Sequence, residues 1–166
     1  FDYPKDIINN NNNCTLNLLE SIRTLKIDPV VMICSTSEVY GIVNKKNIPI
    51  NENCPLNPAS PYAVSKTFQD ILAQTYFKNY KLKIIITRMF SYFNSRRENL
   101  FSSNWANQIA KIERGEQRIL YHGNLNSVRT IIGINDAMEA YWKAAILGSF
   151  GEIYNIGGGT TLKISK

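Results

Sequence analysis

The chain has no glycine-rich phosphate loop. Nine glycines occur among its 166 residues, and none falls in a G-x-x-G-x-x-G or G-x-G-x-x-G pattern. The one cluster, Gly157-Gly158-Gly159, follows a strand candidate and reads as a turn, not as a phosphate cradle. Cysteine is scarce as well. Cys14, Cys34 and Cys54 stand twenty residues apart, an odd number with no pair at metal-ligand spacing. No metal site is expected, and the three read as free thiols in a reducing cytoplasm. The single histidine, His122, precedes Gly123 and reads as a turn or surface residue. No apolar run is long enough to span a bilayer, and the opening Phe-Asp-Tyr-Pro-Lys is not a signal peptide, so no membrane partner is expected.

Charge, by contrast, is lopsided. Nineteen basic residues against thirteen acidic ones leave a formal charge of +6. Such a surplus suits an anionic partner. The lysines and arginines are dispersed and form no stripe, which favours a diphosphate-bearing small molecule over nucleic acid. A hydrophobic content of 44% supports one compact domain.

The run Asn9–Asn13 resembles low complexity, but Ile7, Ile8, Leu16, Leu18, Leu19, Ile22 and Leu25 flank it at helical spacing. A helix is therefore expected over 5–26, ended by Asp28-Pro29. Val30–Cys34 reads as a strand buried on both faces. A polar loop with three prolines follows over 42–59. Ser60 looks like an N-cap and Pro61 like the first helical residue. The helix 62–80 is expected to turn Phe68, Ile71, Leu72, Thr75 and Tyr76 toward the core. Another buried strand lies within 83–88, and 91–101 reads as an irregular loop. A helix over 103–114, with Trp105, Ile109 and Ile112 inward, is stopped by Gly115. Short strands are expected at 119–121 and 128–131. A helix capped by Asn135 reaches Leu147, and a last strand spans 153–156. Strands alternating with helices of crossover length predict an α/β protein with a largely parallel sheet.

Two short runs carry the chemistry. Cys34-Ser35-Thr36-Ser37-Glu38-Val39-Tyr40-Gly41 puts hydroxyls and a carboxylate at the carboxyl end of a buried strand, where ligands bind in doubly wound sheets. Ser60-Pro61-Tyr62-Ala63-Val64-Ser65-Lys66 puts a phenol and an ammonium four residues apart, on one helical face. A free phenol has a pKa of about 10 and is a poor base at neutral pH. A neighbouring ammonium favours the phenolate. Such a base takes the proton of a sugar hydroxyl while the same carbon is oxidised. Thr36 is placed to hold the reacting oxygen. Glu38 is suited to removing a proton from carbon next to the ketone so formed.

With these runs, Arg96-Arg97, Gly123-Asn124-Leu125, Val128-Arg129 and Asp136, nearly the whole chain resembles the extended short-chain dehydrogenase/reductase family. Within it, the resemblance is to the GDP-mannose 4,6-dehydratase and GDP-4-keto-6-deoxymannose reductase group. The resemblance implies a Rossmann-like fold. The chain would supply the C-terminal part of a doubly wound parallel sheet plus a small substrate-binding α/β portion. Residues 1–90 would be a partial NAD(P)-binding domain without its glycine-rich unit. Residues 91–166 would be mainly substrate-binding, with interleaved returns to the sheet. It implies catalytic roles for Thr36, Glu38, Tyr62 and Lys66, and cofactor contacts from Tyr62, Lys66, Tyr92 and Arg97. Thr36, Ser91 and Arg129 would bind substrate, with Arg129 on the diphosphate. It further implies NADP, in preference to NAD, as cofactor and a nucleotide-sugar as partner, with no nucleic acid. A homodimer or homotetramer paired through helices like 5–26 and 62–80 would complete the picture. The expected reaction is 4,6-dehydration of GDP-mannose. A 4-keto sugar reductase, a 4-epimerase and a non-catalytic relative are the alternatives.

Some positions depart from the family. Ser91-Tyr92 replaces an Asn-His pair, Ser95 and Glu98 flank Arg96-Arg97 where relatives carry proline and glycine, and Cys14 replaces a small glycine. In the asparagine run, spacing assigns the family's structural role to Asn11. The absent glycine fingerprint leads to the expectation of a fragment of a longer enzyme, one that binds cofactor poorly by itself.

Overall fold

The computed structural model describes residues 3–97 and 100–165. In chain order its elements are α1 (Pro4–Leu25), β1 (Val31–Thr36), α2 (Pro61–Tyr80), β2 (Ile84–Met89), β3 (Ser91–Tyr92), α3 (Phe101–Glu113), β4 (Val128–Ile132), α4 (Ile134–Leu147), β5 (Ile153–Ile156) and β6 (Thr161–Lys163). Short 3-10 turns cover Ser37–Tyr40 and Lys45–Asn47. The chain forms two compact units, one of residues 1–89 and 140–156, the other of 90–139 and 157–166.

The first unit is a parallel sheet in the order β1-β2-β5, with Val31 opposite Ile84 and Ile86 opposite Ile153. All six residues of β2 are buried, as its apolar run predicts for a central parallel strand. Leu19 and Ile22 of α1, Ala73 and Tyr76 of α2, Val31 and Ile33 of β1, and Ile84 and Ile86 of β2 form one core cluster. Alternate strand residues thus meet both helices, as the two-residue period of a strand requires. Removing water from this apolar surface is the main term holding the unit together.

Ser60 caps α2 as its sequence predicts. Its Oγ accepts the Ala63 N–H at 3.1 Å, and Pro61 stands first in the helix, where its missing N–H costs nothing. The expected face of α2 is buried only in part: Tyr76 lies in the core and Leu72 packs half-buried against it. Ala63, Ser65, Gln69, Asp70, Ala73 and Tyr76 are buried, whereas Phe68, Ile71 and Thr75 are exposed. The helix carries two stripes, and the more polar one faces inward because polar partners await it. Asn11 Nδ2 donates to Ser65 Oγ at 2.9 Å, and Gln69 Nε2 donates to the Asn11 carbonyl at 2.9 Å. The asparagine run is therefore helical, and Asn11 bonds α1 to the first turns of α2.

Gly41 closes the turn after β1 with φ +59° and ψ −137°. A Cβ there would lie 1.8 Å from the Asn57 carbonyl oxygen, while the Asn57 N–H donates to the Val39 carbonyl at 2.9 Å. Only glycine allows this approach. Gly41→Ala is expected to lower stability by roughly 1–3 kcal/mol, read as a reduced urea midpoint with unchanged slope.

In the second unit, β3 pairs parallel with β4, and β4 pairs antiparallel with β6. Several expectations change here. Ser91 and Tyr92 form a strand, and β6 follows the triple glycine, where no strand was expected. The triple glycine itself links β5 to β6 as irregular chain ending in a bend at Gly159, and a Cβ on Gly158 would lie 2.2 Å from the Ile131 carbonyl oxygen. Residues 119–121 are not a strand. The Gln108 side chain accepts the Tyr121 N–H at 2.7 Å and donates to the Tyr121 carbonyl at 2.9 Å, so those backbone groups need no neighbouring strand. Helix α3 has no buried residue, and Ile109 is exposed; Trp105 instead meets Phe101 edge-on, ring centroids 5.6 Å apart. Helix α4 begins at Ile134, so Asn135 lies inside its first turn, and the Ala137 N–H bonds the Gly133 carbonyl at 2.9 Å. Glu98 lies outside the described residues.

Candidate functional site

Thr36 ends β1 and opens the turn Ser37–Tyr40. Its Oγ1 accepts the Glu38 N–H at 3.3 Å, and the Gly41 N–H donates to the Glu38 carbonyl at 3.1 Å. A threonine at the end of an extended strand is suited to this cap, because its hydroxyl satisfies an otherwise unpaired turn donor. Glu38 is exposed and Thr36 half-buried. Tyr62 and Lys66 occupy the first two turns of α2, both half-buried. The Tyr62 carbonyl accepts the Ser65 hydroxyl at 2.8 Å.

These two runs meet. Helix α2 packs against both β1 and the turn Ser37–Tyr40. The helix turns that carry Tyr62 and Lys66 belong to the same unit as the strand tip that carries Thr36 and Glu38. Burial pushes the Lys66 ammonium below the ordinary lysine range; the Cys34 and Asp70 side chains oppose that shift. The unfolded chain holds the Lys66 proton more tightly than the folded one. On that account, stability rises with pH through the interval just below the ordinary lysine value. Nitrogen-detected NMR of the Lys66 Nζ is expected to show it titrating at lower pH than a free lysine side chain.

The other expected site residues lie in the second unit. Ser91 and Tyr92 are half-buried in β3, opposite Ile131 and Ile132. Arg97 is exposed in the turn after Asn94, to whose carbonyl its N–H donates at 3.2 Å. Arg129 is exposed in β4, opposite Leu162, with Nη1 3.3 Å from the Val128 carbonyl oxygen. Each unit thus holds four of the eight.

The structure also holds a buried polar network that the two motif runs do not predict. Arg88 and Asp70 form a two-pronged ion pair, Nε to Oδ2 at 2.8 Å and Nη2 to Oδ1 at 3.0 Å. Arg88 Nη1 also donates to the Tyr40 hydroxyl at 2.8 Å and to the Glu52 carbonyl at 2.9 Å. The Tyr40 hydroxyl donates to Asn155 Oδ1 at 2.7 Å, and the Asn155 N–H donates to Glu52 Oε1 at 2.8 Å. Two opposite charges at positions of buried periodicity, one ending an apolar strand and one on the inward face of α2, were the available signal.

The donor set suits a nicotinamide riboside: a half-buried ammonium and a phenol on one helical face offer hydrogen bonds to ribose hydroxyls. Among the described residues, no group of histidine, cysteine and acidic side chains is arranged to hold a metal, and no helix is long and apolar enough to cross a membrane.

A family model described as GDP-mannose 4,6 dehydratase matches residues 1–166. GDP-6-deoxy-D-mannose reductase of Pseudomonas aeruginosa is 28% identical over 154 residues, 92% of this chain and 51% of the relative. GDP-mannose 4,6 dehydratase of Dictyostelium discoideum is 34% identical over 130 residues, 76% of this chain and 36% of the relative. Among solved structures, RMD from Pseudomonas aeruginosa complexed with NADPH superposes with a TM-score of 0.91 at 27% identity, over 99% of this chain and 56% of that one. Other matching structures are complexes with NAD. The chain spans about half the length, or less, of the curated relatives it matches. The Rossmann-like α/β class expected from the sequence holds. One part of that expectation is corrected: the match falls on the N-terminal part of the relatives, not on a C-terminal part.

Proposed function

The chain belongs to the GDP-mannose 4,6-dehydratase family of extended short-chain dehydrogenase/reductases, and on that premise we propose that it serves a nicotinamide-dependent 4,6-dehydration of GDP-mannose. The observation that carries this reading is the packing of α2 on the turn that follows β1. It supports a reading in which a phenol, an ammonium, a short alcohol and a carboxylate act in one active centre.

In this reading Tyr62 takes the proton of the sugar 4-hydroxyl, and Lys66 keeps the phenol acidic and holds the cofactor ribose. Thr36 hydrogen-bonds the 4-oxygen as it becomes a carbonyl. Glu38 then takes the C5 proton, made acidic by that carbonyl, and passes a proton to the departing 6-hydroxyl, so that water leaves. A bound nicotinamide, NADP in preference to NAD, would supply the hydride acceptor at C4 and the hydride donor at C6, and C5 would take a proton from solvent as C6 takes the hydride. Arg129 binds the diphosphate, Ser91 the sugar, and Tyr92 and Arg97 the cofactor. The first unit serves chiefly the cofactor and the second chiefly the nucleotide-sugar. The exposed residues Val64, Phe68 and Ile71 of α2, with Leu18 of α1, support assembly into a homodimer or tetramer through these helices. Exposed Cys14 and Cys34 thiols suit the reducing cytoplasm.

A reductase acting on the 4-keto-6-deoxy sugar is the second reading, favoured by the likeness to the NADPH-bound Pseudomonas structure. Incubating the protein with GDP-mannose and NADP separates the two. Formation of a 4-keto-6-deoxy product supports dehydration. Turnover only when a keto sugar and reduced cofactor are supplied replaces it with reduction.

A further inference from the structure

We infer that Tyr40 and Asn155 are positioning residues for Glu38: the hydrogen bond between them, seated on Arg88, holds the 37–41 turn in the geometry that presents the Glu38 carboxylate at the tip of β1. The inference rests on the reading of Glu38 as the base that acts on a sugar carbon.

Glu38 has little else to place it. Its side chain is exposed, and among the described residues its carboxylate makes no hydrogen bond or ion pair. Only its backbone is held, by Thr36 Oγ1 on one side and the Gly41 N–H on the other. A single 3-10 turn has poor hydrogen-bond geometry and no length to stiffen it. Its rigidity must come from what it is tied to: Val39 is buried and its carbonyl accepts the Asn57 N–H, and Tyr40 is the residue of the turn whose side chain is hydrogen-bonded into the buried network.

Two residues beyond Glu38, the Tyr40 ring is 1% exposed and lies beneath the Arg88 guanidinium, 5.0 Å from its centroid. The hydroxyl accepts from Arg88 Nη1 at 2.8 Å and donates to Asn155 Oδ1 at 2.7 Å. Burial pushes the Tyr40 phenol up, against the pull of Arg88, so the phenol keeps the proton that it donates. Asn155 is fixed in turn: its N–H meets Glu52 Oε1, and its Nδ2 donates to the Ile50 carbonyl at 3.2 Å. The network therefore joins the turn to the 42–59 loop, to β5 and, through Asp70, to the helix that carries Lys66. A positioned catalytic group needs such support, because a displacement of about 1 Å at a reacting centre costs up to about 10²-fold in rate.

Tyr40→Phe tests this, since it keeps the ring and deletes only the hydroxyl. Asn155→Ala removes the acceptor from the other side, should the first variant fold poorly. In the full chain, amide exchange at residues 39–41 is expected to quicken by about tenfold, while amides of α1 and β2 stay unchanged. With GDP-mannose as substrate, kcat is expected to fall by about 10- to 100-fold with little change in KM. In a Glu38→Gln background, Tyr40→Phe should add no further loss, because it acts through the carboxylate already removed. Losses that multiply in the double variant overturn the inference, as does an unchanged exchange rate at 39–41. If the unaltered protein converts no sugar nucleotide, the functional reading falls separately. Exchange then decides alone: quickened, it upholds the tie between Tyr40 and the turn; unchanged, it ends it.

Discussion

Asp70→Ala lowers the unfolding free energy by about 3–5 kcal/mol, the usual consequence of leaving one buried charge without its partner. The pair qualifies because the Arg88 and Asp70 side chains are 2% and 0% exposed and bonded through two prongs. Without Asp70, the guanidinium retains, among the described residues, the Tyr40 hydroxyl, the Glu52 carbonyl and the face of the Tyr40 ring. Urea denaturation of the single variant measures the loss. The paired variant Asp70→Leu with Arg88→Met removes both charges and is expected to recover only part of it. An isolated ion pair is often replaced at no net cost. Here the arginine also satisfies two neighbouring oxygens, and those stay buried. A loss below about 1 kcal/mol for Asp70→Ala would mean that water reaches the pair.

Tyr62→Phe is the second large effect. Turnover of the sugar nucleotide falls by about 10²- to 10⁴-fold, the range that a positioned general base contributes. Folding is expected to be preserved, because Tyr62 is only half-buried and the helix N-terminus is secured by Ser60 and Pro61. Substrate affinity should change little, since the phenol acts mainly as the 4-hydroxyl loses its proton. Lys66→Met should lower turnover as well, and should also shift the pH–rate profile to higher pH, because the phenol loses the ammonium that keeps it acidic. Near-normal turnover in Tyr62→Phe would assign the base elsewhere.

The sequence makes legible what depends on short-range rules. The cap at Ser60, the proline at Pro61 and the strand character of the apolar runs in β1 and β2 follow from local residue types, although the expected burial of 30–34 on both faces fails at Val30 and Cys34, which are exposed. The two motif runs are legible for the same reason: strand-end hydroxyls and an i, i+4 phenol–ammonium pair are local patterns. What stays hidden depends on distant partners. Phe68 and Ile71 look like core residues until Asn11 and Arg88 are seen to claim the opposite stripe of α2 through Ser65 and Asp70. Residues 119–121 look like a strand until Gln108 takes their backbone groups. Strand β6 has only three residues and exists through its pairing with β4. Tyr40 sits in a motif noticed for its neighbours, and its own role depends on an asparagine 115 residues further along.

That separation sets an order of events during synthesis. The ribosome releases the chain from its amino end, so β1, its turn and α2 emerge and pack long before β5 exists. Until Asn155 leaves the exit tunnel, Tyr40 has no amide oxygen to reach and the central strand β2 lacks its second neighbour. Glu38 therefore gains its support late in translation, and a nascent chain arrested before residue 155 should carry the 34–41 and 60–66 runs already packed but with their turn lacking the Tyr40–Asn155 bond.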